Sequence, residues 1–286
     1  MTKPQYRLST RPEIFDQGNV TNMNLQTDKM LASKEAGIGW MTFNNPARRN
    51  ATSLEMWQAI EVILKDFEDD DAVRVVVMKG AGDKAFVAGA DISEFKERRN
   101  NAEAAAEYTR ISESARAKLA NFSKPLIAMI KGYCLGGGLA VALSADMRFA
   151  TEDSRFGVPA ARLGIAYGFD GLRKLVSLVG PAKANEIMFT AQRIGADEAL
   201  QIGLINRIIQ TEDLENTVRG IATTISNNAP LSVNASKVTI KEILKDQSDR
   251  DMGMLDEITK TCFDSADYKE GREAFMEKRE AVFVGR

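Results

Sequence analysis

Lys84-Ala85-Phe86-Val87-Ala88-Gly89-Ala90-Asp91 and, further along, Gly132-Tyr133-Cys134-Leu135-Gly136-Gly137-Gly138-Leu139-Ala140 are the stretches on which the reading turns. The first follows Val73–Met78 (VRVVVM) through Gly80-Ala81-Gly82; the second follows Leu126–Ile130 and opens an apolar helix, Gly138 to Ala145. Runs this rich in β-branched and aliphatic residues predict strands covered on both faces. Small residues where parallel strands end mark the place where ligands enter α/β sheets. Consecutive glycines lose backbone entropy on folding and are poor helix formers. Their advantage is close approach, which lets a ligand oxygen reach the free N–H groups of a helix start. Tight packing of helix on sheet explains the same glycines without a ligand. Gly80-Ala81-Gly82 begins like a dinucleotide fingerprint, but Ala85 stands where its third glycine belongs, and there is no P-loop motif.

Around these loops the pattern is mixed. Met30–Ser33 and Ile38–Phe43 predict a hairpin, and Asn44-Asn45-Pro46 ends it. Thr52 and Glu55 form a capping-box pattern ahead of Leu54, Trp57, Ile60, Ile63, Leu64 and Phe67, which recur at helical spacing. Glu103 to Phe122 reads as a helix and Met147–Ala150 as a strand; Glu94 and Glu97 read as solvent-facing helix residues. From Pro181 helices dominate, with Pro181 in a first turn and Gly203 at a helix end. The expected division is an irregular lead-in over 1–30, an α/β core over 31–210 and an α-helical region over 211–286.

Composition excludes whole classes of chemistry. The 286 residues contain no histidine and two cysteines, Cys134 and Cys262. Histidine-based nucleophile systems, histidine-ligated metals and cysteine zinc sites are therefore out, and reduced buried thiols are expected. With 38 Lys and Arg against 40 Asp and Glu, the chain lacks the basic excess that nucleic-acid binding needs. No apolar run reaches the length of a membrane span, and the first residues lack a signal-peptide core, so a soluble, cytoplasmic protein is expected.

KAFVAGADI (84–92) closely resembles the KAF-x-AGADI signature of the enoyl-CoA hydratase/isomerase (crotonase) superfamily, and GYCLGGGLAVALSADMRFATEDSRFGVP (132–159) resembles its second signature. The resemblance runs on through Val179-Gly180-Pro181 to Tyr268–Arg279, in order and spacing. It implies a spiral of ββα units with an α-helical C-terminal trimerisation region, assembled as a homotrimer or homohexamer. The implied substrate is an acyl-CoA thioester, so coenzyme A arrives with the substrate and no separate cofactor is needed. By position, the N–H groups of Ala90 and Gly137 would hold the thioester carbonyl oxygen. Ala88, Phe275 and Lys278 match the family's contacts to the CoA adenine and phosphates; Arg48 or Arg49 are further phosphate candidates.

One departure decides the expected chemistry. Hydratases of the family carry glutamates two residues beyond the GGG run and directly after the proline of FG-x-PE; here these positions are Ala140 and Ala160. Alanine moves no protons. Gly164 to Gly171 instead brings Tyr167 and Asp170 to the turn that borders the acyl pocket in the family. Asp170 is the first acid/base candidate and Tyr167 the second, with a turn or helix-start role as the alternative for the aspartate. Asp91 and Asp146 read as loop-holding residues. The alternative to an enzyme is a non-catalytic CoA-thioester-binding protein on the same fold.

Overall fold

The computed structural model describes residues 20–91 and 102–286. Seven strands form one sheet in the order β1 (Thr21–Asn22), β2 (Met30–Glu35), β3 (Ile38–Phe43), β4 (Val75–Gly80), β6 (Leu126–Ile130), β8 (Met147–Thr151) and β11 (Arg207–Ile209). A second sheet of four runs β10 (Ile194–Gly195), β9 (Arg155–Gly157), β7 (Tyr133–Leu135) and β5 (Ala85–Val87). β1 to β3 are antiparallel and the rest of the large sheet is parallel, as are β5, β7 and β9. The pairs β4–β5, β6–β7 and β8–β9 each send one strand to each sheet. Helices α2 (Ala102–Asn121), α3 (Gly137–Ser144) and α4 (Ala160–Leu163) follow the three pairs in turn. This repeat is the expected ββα spiral, an α/β fold.

Period-2 alternation explains the unbroken apolar runs. Met41, Phe43, Val76, Met78, Leu126, Ala128 and Ile130 face one core with Trp57, Ile60, Ile63 and Phe67 of α1 (Leu54–Asp69). Their neighbours Ile38, Trp40, Val75, Val77, Ile127 and Met129 face a second core. Leu214, Val218 and Ala222 of α7 (Leu214–Asn227) close that side. A strand with helices on both faces has no polar face to show.

Several boundaries move for physical reasons. β4 starts at Val75, because Val73 and Arg74 turn, their N–H groups bonding Asp70 O and Gly37 O. The cap of α1 is Ser53, whose side chain accepts from Met56 N, and not Thr52; the Thr52 backbone is drawn into a bridge with Ala90. Thr21 and Asn22, inside the stretch expected to be irregular, pair with Lys34 and Ser33. Glu94, Glu97 and the first part of the lead-in lie outside the described residues.

The helical part comprises α5 (Phe169–Thr190), α6 (Ala196–Gln201), α7, α8 (Pro230–Ile243), α9 (Met252–Asp264) and α10 (Ala266–Glu277). Gly180, at φ 75° and ψ 163°, breaks α5 in two, and Pro181 opens the second half as its fixed φ suits. Among the described residues no helix is long and apolar enough to cross a membrane. Cys134 and Cys262 are free thiols, and burial pushes the Cys134 thiol well above its ordinary value.

Between α5 and α8 lies a basic cluster that sequence patterning did not reveal. Asp146 Oδ2 accepts from Leu126 N at 2.7 Å and from Lys237 Nζ at 2.8 Å, which fixes the entry to β6 as its structural reading required. Lys174 sits near Lys241, Lys237, Arg148 and that one carboxylate; burial, then Lys241, bring its pKa down to about 8. The folded state therefore holds fewer protons than the unfolded chain between about pH 8 and 10.5, so stability rises with pH in that window. Below pH 8 the buried charge is a constant penalty. Lys174→Met should raise stability at pH 7 by about 1–2 kcal/mol after allowance for solvent screening. It should also flatten the slope between pH 8 and 10.5, as urea unfolding at several pH values would reveal.

Candidate functional site

Two backbone turns build the site. After β5, Ala88 N donates to Arg49 O at 3.1 Å, and Gly89, at φ +109°, turns the chain beside Thr52. Thr52 N donates to Gly89 O at 2.8 Å and Asp91 N donates to Thr52 O at 2.9 Å. In a trans peptide the C=O and the following N–H point in opposite directions. With Gly89 O directed at Thr52, the Ala90 N–H points away from it. No acceptor is found for that N–H among the described residues.

The second turn follows β7. Gly136, at φ 53° and ψ −120°, donates its N–H to Gly157 O at 2.8 Å, and its carbonyl accepts from Ala140 N at 3.1 Å. The Gly137 N–H therefore points back out of the helix start, where a first-turn amide has no intrahelical partner. A Cβ built on Gly137 would lie 3.9 Å from Ala90 N and 3.9 Å from Gly89 Cα. The Ala90 nitrogen and the Gly137 backbone, from separate loops, are thus neighbours. The helix contributes the positive end of its dipole there. The close approach is set by Gly138, where a Cβ would lie 2.0 Å from Val87 O.

The side chains around this point differ from one another. The Tyr167 hydroxyl is 3.9 Å from where a Gly136 Cβ would stand, and Pro159 Cδ is at 3.7 Å from the same point. Burial raises the Tyr167 pKa, with the charge of Arg116 opposing, so the phenol keeps its proton at neutral pH. Asp170 is elsewhere: in the first turn of α5, with a side chain 91% exposed and 3.9 Å from Arg173 Nη2. Ala140 is half-buried in α3 and Ala160 is buried at the start of α4.

Ala88 is half-buried beside this turn, whereas Phe275 and Lys278 end α10, Phe275 82% exposed and Lys278 in the left-handed conformation at φ 55°. The chain does tie its C-terminus down: Arg279 bonds Glu270 at 2.6 and 2.9 Å, and Val284 and Gly285 donate to Asp267. A cavity of about 240 Å³ opens between Pro46, Arg49, Asn50, Gly82 and Lys84. Asn50, missed in the sequence, holds its rim: fully buried, it donates to Ala81 O and Ala85 O and accepts from Asn45 N. Arg49 and Arg193 lie over the Tyr133 ring, each at 5.3 Å.

The profile of the enoyl-CoA hydratase/isomerase family matches residues 33–286. The chain belongs to that family. It is 37% identical over 255 residues to the short-chain-enoyl-CoA hydratase of Clostridium acetobutylicum, covering 89% of this chain and 97% of that one. It is also 32% identical over 270 residues to the carnitinyl-CoA dehydratase of Escherichia coli K12, covering 91% and 100%. Among solved structures, an enoyl-CoA hydratase/carnithine racemase from Magnetospirillum magneticum superposes with a TM-score of 0.86 at 34% identity, covering 91% of this chain and 97% of that one. This enoyl-CoA hydratase/isomerase family member is accordingly an acyl-CoA-processing enzyme.

Proposed function

We propose that this chain binds the carbonyl oxygen of an acyl-CoA thioester between the N–H groups of Ala90 and Gly137 and stabilises the enolate that forms there. The observation that supports this is the meeting of two amides from separate loops, one without an acceptor and one at a helix start. Preorganised donors aimed at a developing oxyanion are worth about 3–4 kcal/mol each. Protonated Tyr167 stands beside them and is the leading proton donor; Asp170, solvent-exposed, ranks second. The CoA portion runs past the Ala88 backbone, and Phe275 and Lys278 reach it from a neighbouring subunit of a homotrimer or homohexamer. The exposure of Phe275 supports that reading.

With alanine at 140 and 160, hydration of simple enoyl-CoAs lacks its two carboxylates and should run about 10²–10⁴-fold below that of a two-glutamate hydratase. A panel of acyl-CoAs incubated with the protein and followed by mass spectrometry tests the reading. The expected result is conversion of one acyl class, with crotonyl-CoA hydrated poorly. Tyr167→Phe should then lower kcat by about 10²-fold, and Asp170→Asn should leave it near wild type. Tight binding of CoA esters with no turnover would favour a non-catalytic binding protein. Failure to bind any of them would overturn the proposal.

A further inference from the structure

Thr52, fully buried just before α1, holds the loop at 89–91 with its side chain as well as its backbone. The backbone takes the groups on either side of Ala90: Thr52 N donates to Gly89 O at 2.8 Å, and Asp91 N donates to Thr52 O at 2.9 Å. The side chain adds a third bond, Thr52 Oγ1 donating to the same Gly89 O at 3.3 Å. A buried hydroxyl has to place its proton on an acceptor, and here the acceptor is this carbonyl. Both lone pairs of Gly89 O are thus engaged by one residue. The support behind it is fixed. Ser53, also fully buried, accepts from Met56 N in the first turn of α1, and Ala88 N donates to Arg49 O at 3.1 Å.

Gly89 O and the Ala90 N–H belong to one planar peptide and point in opposite directions. Whatever fixes that carbonyl therefore aims that amide. Electron density drawn toward Gly89 O also makes the Ala90 N–H a stronger donor, and linked hydrogen bonds strengthen one another by about 10–30% each. The second amide is supported differently. Gly136 O accepts from Ala140 N at 3.1 Å, and the helix that begins at Gly137 adds the positive end of its dipole. Ala90 follows strand β5, and its peptide leans on Thr52 instead.

We propose that Thr52 is a positioning residue whose hydroxyl, through Gly89 O, aims and polarises the Ala90 N–H toward the thioester carbonyl. The inference rests on the two-amide reading above and adds the group that tunes one of the two donors. Infrared difference spectra of the intact protein with butyryl-CoA and octanoyl-CoA, each labelled with carbon-13 at the carbonyl, test it. A carbonyl held by hydrogen bonds absorbs at lower frequency, so the wild type should shift the band down. Thr52→Val keeps the shape and the backbone N–H on Gly89 O but lacks the hydroxyl, so no buried group is orphaned. It should reduce the downshift by about 10–30% and lower kcat about 3–10-fold at unchanged KM. Thr52→Ser, which restores the hydroxyl, should recover both. Thr52→Ala removes the same group with less bulk and stands in if the valine variant folds poorly. Equal downshift and kcat in wild type and the hydroxyl-free variants overturn this inference alone, as does failure of both variants to fold, which would make the hydroxyl a support of the fold. A wild-type band that does not shift, or no binding of either ester, overturns the two-amide reading and this inference with it.

Discussion

Replacing Gly137 by proline should lower kcat for the acyl-CoA substrate by about 10²–10³-fold, the loss seen when one oxyanion donor is removed. Proline deletes the N–H and sets its ring carbon where that hydrogen pointed. It does so at a first-turn position that tolerates proline's φ and has no intrahelical hydrogen bond to lose. The control is Gly137→Ala. Its Cβ would meet only ordinary contacts at 3.9 Å, and its amide is intact, so it should keep most of the activity. Melting curves for both variants separate loss of the donor from loss of the fold. If the two variants were equally active, the Gly137 amide would have no part in the chemistry and the proposed function would fail. The pair is informative because a backbone donor cannot be removed by changing a side chain, which also lets side chains such as those at 140 and 160 drift while the amides stay.

The parts of this architecture that were readable in the sequence are those fixed by local chemistry. The runs at Val75–Met78 and Leu126–Ile130 are apolar at every position because both faces of the sheet are covered, and that pattern needs no knowledge of the partners. Glycines at 136–138 announced a close approach, and the structure shows what they approach: Val87, Gly89 and Ala90 of the other loop. Local patterns misled where a distant strand competes. Thr52 has the sequence of a cap, but the loop at 89–91 takes its backbone, and Ser53 caps the helix instead. Tyr167 and Asp170 were equally visible as residues of one glycine-flanked turn. Only the fold separates them, sending the phenol to Gly136 and the carboxylate into solvent. Arg116 gave no signal, because a lone arginine in an Ala-rich helix reads as a solvated charge until Trp57 is brought beside it. Arg148 was hidden for the same reason: buried, it donates to Leu204 O and Ala145 O, carbonyls that no sequence pattern joins to it.

Gly138→Ala should destabilise the protein by about 3 kcal/mol or more, opposite in sign to what helix propensity alone dictates. In a helix interior alanine is better than glycine by about 1 kcal/mol. At Gly138 the added carbon would sit 2.0 Å from Val87 O and 2.6 Å from Val87 C. Those are backbone atoms of β5, so no side-chain rotation relieves the clash. Either α3 moves off β5 or the strand shifts, and overpacking of that kind costs about 1–3 kcal/mol even where side chains can adjust. Because β5 leads into Ala90 and α3 begins at Gly137, the same shift pulls the two amides apart. Misplacement of reacting groups by about 1 Å costs on the order of 10²-fold in rate, so activity should fall more steeply than stability alone explains. Gly220 supplies the internal reference: it lies within α7 with no atom within 4 Å of where its Cβ would be. Gly220→Ala should therefore stabilise by about 0.5–1 kcal/mol. Urea unfolding of both variants decides the matter. A Gly138→Ala protein as stable as the Gly220→Ala one would mean that α3 does not sit on β5 as described, and the convergence of the two loops would have no structural basis.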